Sequence, residues 1–514
     1  MGTDATLQHE GAILSDGSRV FARTSDLESV PAITVKASPP MTIAALVLVD
    51  LLILTSSISG AVFLRKMQWT DLNLQLYTTL WPMLGVFIAT FTALRLYPVV
   101  AFSPVEELRR TSWGITGVYL GLAAMTFLFK EGENYSRSIF LIAWAITIIG
   151  IPVGRAILRW MCASRSWWGV PVIVLGAGKT GHMVVRALLH RPELGLKPVV
   201  VLDDDPQKHN SVCGADGVLK SADVRSEQGV PIVGDLGLAP GLAKLYDLKY
   251  AIVAMPGVPH ERLLQLVEVY ADTFTHLIVV PDLFGFSSLR VPAKDLGGIL
   301  GLEMQQQLLL SGPRFVKRTI DLVLTVVGGI CVLPFIALVA LWIRLESRGP
   351  AFYGHTRIGR GNTRFKAWKF RSMYLDADKM LADYLEKHPE LRKEWEETQK
   401  LKDDPRVTRA GRFLRKTSLD ELPQIWNVLW GEMSLVGPRP IVEAEIPRYE
   451  NKFKLYLKVR PGITGLWQVS GRSDTTYAQR VEFDTYYVRN WSPWLDAYIL
   501  ARTVGVVIKG KGAY

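Results

Sequence analysis

Four apolar runs dominate the first third of the chain: Ile43–Leu64, Leu74–Ala101, Ser112–Leu128 and Ser138–Met161. Each is long enough to cross a hydrocarbon core about 30 Å thick, which takes about 20 helical residues. In lipid every backbone polar group must be satisfied within the segment, so such runs read as four transmembrane helices over residues 41–164. Charge orients them. Arg19, Arg23 and Lys36 precede the first run, Arg109 and Arg110 lie between the second and third, and Arg155, Arg159 and Arg165 close the fourth. The other loops hold Arg65, Lys66, Lys130 and Arg137, so the bias is modest; it places both ends of the bundle in the cytoplasm. Asp50 falls inside the first run. An intramembrane acid is a functional candidate, or it snorkels or bonds a neighbouring helix. Residues 1–40 are polar with no signal-peptide core and are expected to be disordered and cytoplasmic.

From Val170 the pattern changes. The stretch VPVIVLGAGKTG carries an apolar run into Gly176-x-Gly178-x-x-Gly181, and PVVVL ends at Asp203, 22 residues after Gly181. Short apolar runs recur at Val230–Val233, Ala251–Met255 and Leu277–Val280, with helical patterns between them. This βαβ alternation predicts a Rossmann-like α/β domain over 165–290, followed by a linker, 291–316. The glycines permit a tight turn and close approach to a phosphate, and Asp203 is placed to take a ribose hydroxyl. No Tyr-x-x-x-Lys pair follows, so a regulatory or vestigial nucleotide fold stands beside a working redox site.

A fifth apolar run, Leu322–Ile343, is interrupted by Gly328, Gly329 and Pro334. Arg314, Lys317 and Arg318 precede it, and residues 344–373 hold eight Lys/Arg against the single acid Glu346. Positive charge on both sides and a proline in the middle predict a re-entrant, broken helix over 320–343 that dips into the bilayer and returns. A plain fifth span would instead carry the last third of the chain outside the cell. Residues 375–402 read as a solvated helix with Leu381, Tyr384, Leu385, Leu391 and Trp395 on one side. The end of the chain, with Trp491, Trp494 and Tyr498 beside Leu495, Ile499 and Leu500, suits either a helix at the headgroup level or core packing.

Between these features lies a basic field containing two adjacent acids. Arg406, Arg409, Arg412, Arg415 and Lys416 lead to Asp420 and Glu421 with no acid between. Lys366, Lys369 and Arg371 lie upstream, and Arg439, Arg460 and Arg472 downstream. Guanidinium forks suit phosphate oxygens, and anionic lipid headgroups attract the same residues. A carboxylate in such a field is expected to stay ionised and able to attack phosphorus. Oxygen ligands and a phosphate substrate point to Mg²⁺ on Asp420 and Glu421. Alternatively Ser418-x-x-Glu421 is a capping box, although Pro423 sits awkwardly deep for a helix starting there. The net charge of +11 fits phosphates and an anionic membrane face; with membrane segments present, nucleic acid is not expected. Cys162, Cys213 and Cys331 have neither disulfide-framework nor zinc spacing.

From about Lys317 to Tyr514 the chain resembles the bacterial sugar transferases, monotopic phosphoglycosyl transferases with a mainly α-helical catalytic domain over 317–514. The matching stretches are KRTIDLVL, GPAFYGHTRIGRGNTRFKAWKFRSM, DPRVTRAGRFLRKTSLDELPQIWNVLWGEMSLVGPRP, VRPGITGLWQVSGR and FDTYYVRNWSPWLDAYIL. The preceding spans and glycine-rich domain resemble the family's long form, which transfers galactose phosphate to undecaprenyl phosphate. The resemblance implies a two-step exchange at the cytoplasmic face of the bacterial inner membrane. Asp420 attacks the sugar-bearing phosphorus of a UDP-hexose, expelling UMP, and undecaprenyl phosphate then takes the sugar phosphate from the aspartate. Glu421 assists with Mg²⁺ or deprotonates the lipid phosphate. Lys369, Arg371, Arg412 and Arg439 are implied phosphate ligands, Pro438 and Pro440 shape the nucleotide pocket, and Arg460, Gln468 and Arg472 are further candidates. Pro334 matches the family's helix break, Ser372 stands where Thr is common, and the long forms suggest a homodimer. Galactose is the favoured sugar, with glucose close behind. Two other classes remain open: an NAD-dependent membrane dehydratase or epimerase using the Gly176 fold, and a non-enzymatic scaffold of polysaccharide export.

Overall fold

The structure is a computed structural model that describes residues 33, 35–68, 82–97, 103–128, 136–209, 211–214, 219–221, 229–281, 293–295, 300–302, 308, 310–388, 404–471 and 475–509. The chain divides into two compact units, residues 1–285 and 286–514.

In the first unit, α1 (Pro39–Gln68), α3 (Pro104–Leu128) and α4 (Arg137–Cys162) are each long and apolar enough to cross a bilayer. The expected second span is represented by α2 (Pro82–Ala93), 12 residues long. Its predicted extension to Ala101 is corrected: Arg95 takes a left-handed φ of 56° and ends the helix, while Leu74–Trp81 and 98–101 lie outside the described residues. Gly150 and Gly154, one turn apart on α4, receive Ile53 of α1, so the two helices approach closely. Leu54, Phe87, Phe91, Ile115 and Ile151 fill the space between the four helices.

Asp50 settles among its neighbours. It is fully buried and receives the Arg155 guanidinium through Nε at 2.9 Å and Nη2 at 2.5 Å, with the Tyr97 hydroxyl donating as well. Glu107 completes the set, 3.4 Å from Arg155 Nη1 and 2.6 Å from Arg159 Nη2. Of the readings open for Asp50, bonding to a neighbouring helix is the one seen.

The disorder expected through residue 40 ends earlier. Ile33 and Val35 pack against the core of the α/β domain, and the Ile33 amide lies 3.3 Å from the Tyr246 hydroxyl. Residues 1–32 and Thr34 lie outside the described residues. The α/β domain is a seven-stranded sheet in the order β4-β3-β5-β2-β1-β6-β7. Its strands are β1 (Val170–Leu175), β2 (Leu196–Leu202), β3 (Ser211–Cys213), β4 (Leu219–Ser221), β5 (Val230–Ile232), β6 (Tyr250–Val253) and β7 (His276–Val279). The run from β5 to β7 is parallel as expected; β3 and β4 add an antiparallel edge whose three-residue strands carry too little pattern to read. The crossover helices are α5 (Lys179–His190), α6 (Ala239–Leu245) and α7 (His260–Thr273).

In the second unit the expected linker 291–316 contains a hairpin, β8 (Ala293–Asp295) with β9 (Leu300–Leu302). Helix α8 (Ser311–Glu346) then runs as one continuous element with Pro334 inside it, so the predicted break does not split the helix into two. Both of its ends bond to the rest of this unit. Arg318 donates to the Val428 and Leu429 carbonyls at 2.6 and 3.0 Å, and Glu346 accepts from the Arg409 and Ala410 amides at 2.6 and 2.9 Å. Between them Val323, Val327, Ile330 and Leu338 are exposed. A hairpin of β10 (Phe352–Ile358) and β11 (Arg364–Phe370) follows. The helix expected over 375–402 is described as α9 (Ala377–Lys387), and Leu391 and Trp395 lie outside the described residues. Then come α10 (Arg409–Thr417), α11 (Ile425–Trp430), β12 (Ser434–Val436), α12 (Phe453–Tyr456), β13 (Gly462–Thr464), α13 (Leu466–Ser470), α14 (Tyr477–Asn490) and α15 (Pro493–Lys509). For Trp491 the core reading holds: it is buried and its indole N–H donates to Asp496 at 3.0 Å.

Candidate active site

The two acids stand on a turn, not on a capped helix. Ser418 ends α10 with a left-handed φ of 56°, and its amide bonds back to the Arg415 carbonyl. Its side chain forms no capping bond, so the capping box is not made. The chain continues as a 3₁₀ turn, Leu419–Gln424, which accommodates Pro423 and carries Asp420 and Glu421. Leu419 and Leu422 anchor this turn in the cluster formed by Ile336, Val339 and Ile343 of α8 with Ala410 and Leu414.

Lys369, at the end of β11, meets both carboxylates. Its Nζ lies 2.6 Å from Glu421 Oε1 and 3.6 Å from Asp420 Oδ2. The two acids then separate electrically. Burial raises the Asp420 carboxyl above the usual aspartate range, against the pull of Lys369 and with a push from Glu421. Burial would raise Glu421 as well, but Lys369, Arg439 and Arg357 hold it below its ordinary value. At Asp420 removal from water thus works against the cationic field and shifts the carboxyl upward.

The other predicted residues scatter around this pair. Arg415 reaches Ser372 Oγ at 3.0 Å, and the position of α10 depends on Gly411, where a Cβ would collide with the Ser372 carbonyl. Arg439 lies 5.4 Å over the Trp467 ring. Pro438 is buried and Pro440 accepts from Arg357 Nη1 at 3.3 Å. Arg371 faces elsewhere: it is buried and donates to the Arg348 and Ser347 carbonyls at 2.9 and 2.8 Å, closing the end of α8. Arg460 donates to the Gly431 carbonyl at 2.6 Å and lines, with Arg314 and Asp321, a cavity that neither carboxylate lines. Gln468 donates to the Ile463 carbonyl at 3.2 Å, Arg412 is exposed on α10, and Arg472 lies outside the described residues. Arg357 was missed. The β10–β11 register puts it on the same face as Lys369, a relation visible only once the basic stretch is read as a hairpin.

Among the described residues no three His, Cys, Asp or Glu side chains gather as a metal site. Asp420 and Glu421 nonetheless fit Mg²⁺, which is commonly held by one or two carboxylates with substrate phosphates and water completing its shell.

In the α/β domain the glycines behave as their spacing demands. Gly176 has a φ of 101°, and a Cβ on Gly181 would collide with the Gly176 carbonyl. Gly178 precedes α5 and lines, with Lys179, Asp204 and Arg262, a cavity of about 540 Å³. Asp203 also lines it but is committed: Oδ2 accepts the Ala177 amide at 2.6 Å, and Oδ1 meets the Asp205 amide and Lys208 at 3.0 and 3.1 Å. These donors hold its carboxyl below the usual range although burial pushes the other way. Both oxygens thus already accept hydrogen bonds from its own surroundings, and the carboxylate lies at the cavity wall.

Residues 312–510 match the family described as bacterial sugar transferase, and residues 99–281 match that described as CoA-binding domain. The UDP-galactose-lipid carrier transferase of Erwinia amylovora is 36% identical over 384 residues, 74% of this chain and 76% of its own. The undecaprenyl-phosphate galactose phosphotransferase of Salmonella typhimurium is 36% identical over 387 residues, 74% and 77% of the two chains. The UDP-glucose:undecaprenyl-phosphate glucose-1-phosphate transferase of Escherichia coli is 32% identical over 417 residues, 78% and 82%. Aligned with such relatives over about three quarters of its length, the chain belongs to the bacterial sugar transferase family.

Proposed function

We propose that the protein transfers a hexose 1-phosphate, galactose 1-phosphate foremost and glucose 1-phosphate as the alternative, from a UDP-hexose to undecaprenyl phosphate. The products are UMP and undecaprenyl-diphosphate-hexose, and the reaction opens the membrane stage of surface polysaccharide synthesis. The observation that carries this reading is the Asp420–Glu421 pair closed over by Lys369 on the turn packed against α8. An Asp420 oxygen bonds to the sugar-bearing phosphorus, the anhydride bond breaks, and its electron pair leaves on UMP. An oxygen of the lipid phosphate then attacks the same phosphorus and restores the carboxylate. A raised Asp420 carboxyl suits this role, because a more basic carboxylate is a stronger nucleophile once ionised. Glu421, kept charged, accepts the remaining proton of the lipid phosphate. Mg²⁺ held by Asp420 and Glu421 would offset phosphate charge. Lys369, Arg357 and Arg439 supply fixed positive charge beside the same centre.

Placement at the cytoplasmic face of the inner membrane rests on the basic flanks of α8 and on the solubility of the donor. A re-entrant course for α8 is supported by positive charge on both of its flanks and by Pro334 within it. A homodimer, expected of long forms, is checked by particle mass in nanodiscs.

UMP release from UDP-galactose and UDP-glucose, with Mg²⁺ and undecaprenyl phosphate, tests the reaction. Asp420→Asn is expected to lower turnover by about a thousandfold or more while the protein stays folded. Donor alone should label the peptide containing position 420, read by mass spectrometry. An unlabelled peptide under conditions where the full reaction runs rejects the covalent route.

A further inference from the structure

A second cationic group stands beside Arg439. Arg480, on α14, lies 4.3 Å over the Trp467 ring and 5.2 Å over Tyr477. Arg439 shares the Trp467 ring, and Arg448 lies 5.1 Å over Tyr477. Three guanidinium groups therefore crowd two aromatic rings. Among the described residues none of the three is in an ion pair. Stacking fixes a guanidinium plane while leaving its edge donors available.

Position suggests a counter-ion, Asp484, one helical turn beyond Arg480. No ion pair within 4 Å joins them. Asp484 Oδ2 accepts the Tyr449 hydroxyl at 2.7 Å, and burial pushes the carboxyl up to about 7, although Arg480 and Arg439 both lower it. Its Oδ1 is buried without a hydrogen-bond partner among the described residues. Arg480 Nε, Trp467 Nε1 and the Tyr477 hydroxyl are also buried without a hydrogen-bond partner among the described residues. Trp467 itself is only 5% exposed. Leaving such donors unpaired is costly, and an acceptor-rich anion would satisfy them together.

The neighbours of the site point to the anion. The carboxylate turn meets α8 through Leu419 and Leu422. α14 packs with residues 443–456 through a cluster of Ile358, Ile441, Tyr449, Tyr456 and Val481, while Tyr487 near its other end lines a cavity with Lys317 and Asp321 of α8. Arg439, which lowers the Glu421 carboxyl, shares the Trp467 ring with Arg480, so Arg480 stands next to the cation nearest the carboxylates on this side.

We propose that Arg480, stacked on Trp467 beside Arg439, binds the phosphate of the nucleotide that leaves from the donor. This deepens the transferase reading and rests on it. Breaking the anhydride bond moves an electron pair, and hence charge, onto that phosphate; Arg480 neutralises it.

The test uses the full-length protein in detergent or nanodiscs. Arg480→Ala is expected to raise the KM for the UDP-sugar about tenfold or more and to weaken inhibition by UMP in parallel, with the KM for undecaprenyl phosphate unchanged. Arg480→Lys, which keeps the charge and loses the fork, should fall between, and it carries the test if the alanine variant folds poorly. Unchanged donor KM and UMP inhibition, or a change confined to the lipid acceptor, overturns the assignment. If wild-type protein releases no UMP, the transferase reading itself fails; if it does and the variants match it, only the role of Arg480 fails.

Discussion

At the scale of single residues, chemistry turns on which of two forces wins at each carboxylate. Desolvation dominates at Asp420 and cations dominate at Glu421, although the two are adjacent and share Lys369. Lys369→Met removes a charge that lowers both carboxyls, so both rise and the acid limb of the kcat/KM profile moves to higher pH. A limb that stays in place would show that Lys369 does not set the ionisation of the pair. Asp484 gives a sign that is easily mistaken. Its folded carboxyl, near 7, lies above the ordinary aspartate value of 3.8, so the folded state binds the extra proton. Its stabilising contribution is full below the unfolded value and is lost as pH rises through about 7. Asp484→Asn should flatten the fall of melting temperature between mildly acidic and mildly alkaline pH. An unaltered profile would place the titrating group elsewhere.

At the scale of elements, buried charge joins the membrane helices. Arg155 on α4 ties α1 through Asp50 and α3 through Glu107, with side chains at 1%, 0% and 9% exposure. Arg155→Leu leaves Asp50 without a cation in a space that cannot hydrate it, while Glu107 keeps Arg159, and should destabilise the protein by about 3–5 kcal/mol, seen as a lower melting temperature in detergent. Arg155→Leu with Asp50→Leu should recover part of that loss; a double variant no better than the single one would assign the loss to packing. Reading these elements from sequence succeeded where length or spacing fixes them. The span Ser138–Met161 needed only its run of apolar residues, and Gly176 and Gly181 needed only the turn they make. It failed where a boundary depends on a contact. Arg95 turns the chain within an apolar run, and Ser418 leaves the helix in a left-handed conformation that no capping pattern announces.

At the scale of the whole molecule, topology follows from parity. α1, α3 and α4 alone would put the N-terminus and the α/β domain on opposite faces, while the basic flanks at both ends favour one face. On that reading we propose that the second run crosses the membrane as well. Cysteines introduced at Arg23 and Arg165, and at Arg348 for the re-entrant helix, should all react with an impermeant maleimide in inside-out vesicles only. Labelling of Arg23→Cys and Arg165→Cys from opposite sides would leave an odd number of crossings.

The sequence by itself determined the membrane segments, the parallel α/β sheet, and the acids Asp420 and Glu421 with Lys369 and Arg439 in a basic field. These are properties of run length, periodicity and local motif, which survive in one dimension. Only the tertiary structure decided that Arg371 closes a helix while Arg357 joins Lys369, that Asp203 bonds its own loop, and that Arg480 stands over Trp467 beside Arg439. Those outcomes depend on the direction a side chain faces and on how much water its neighbours exclude, and both are set by contacts between residues far apart in the chain.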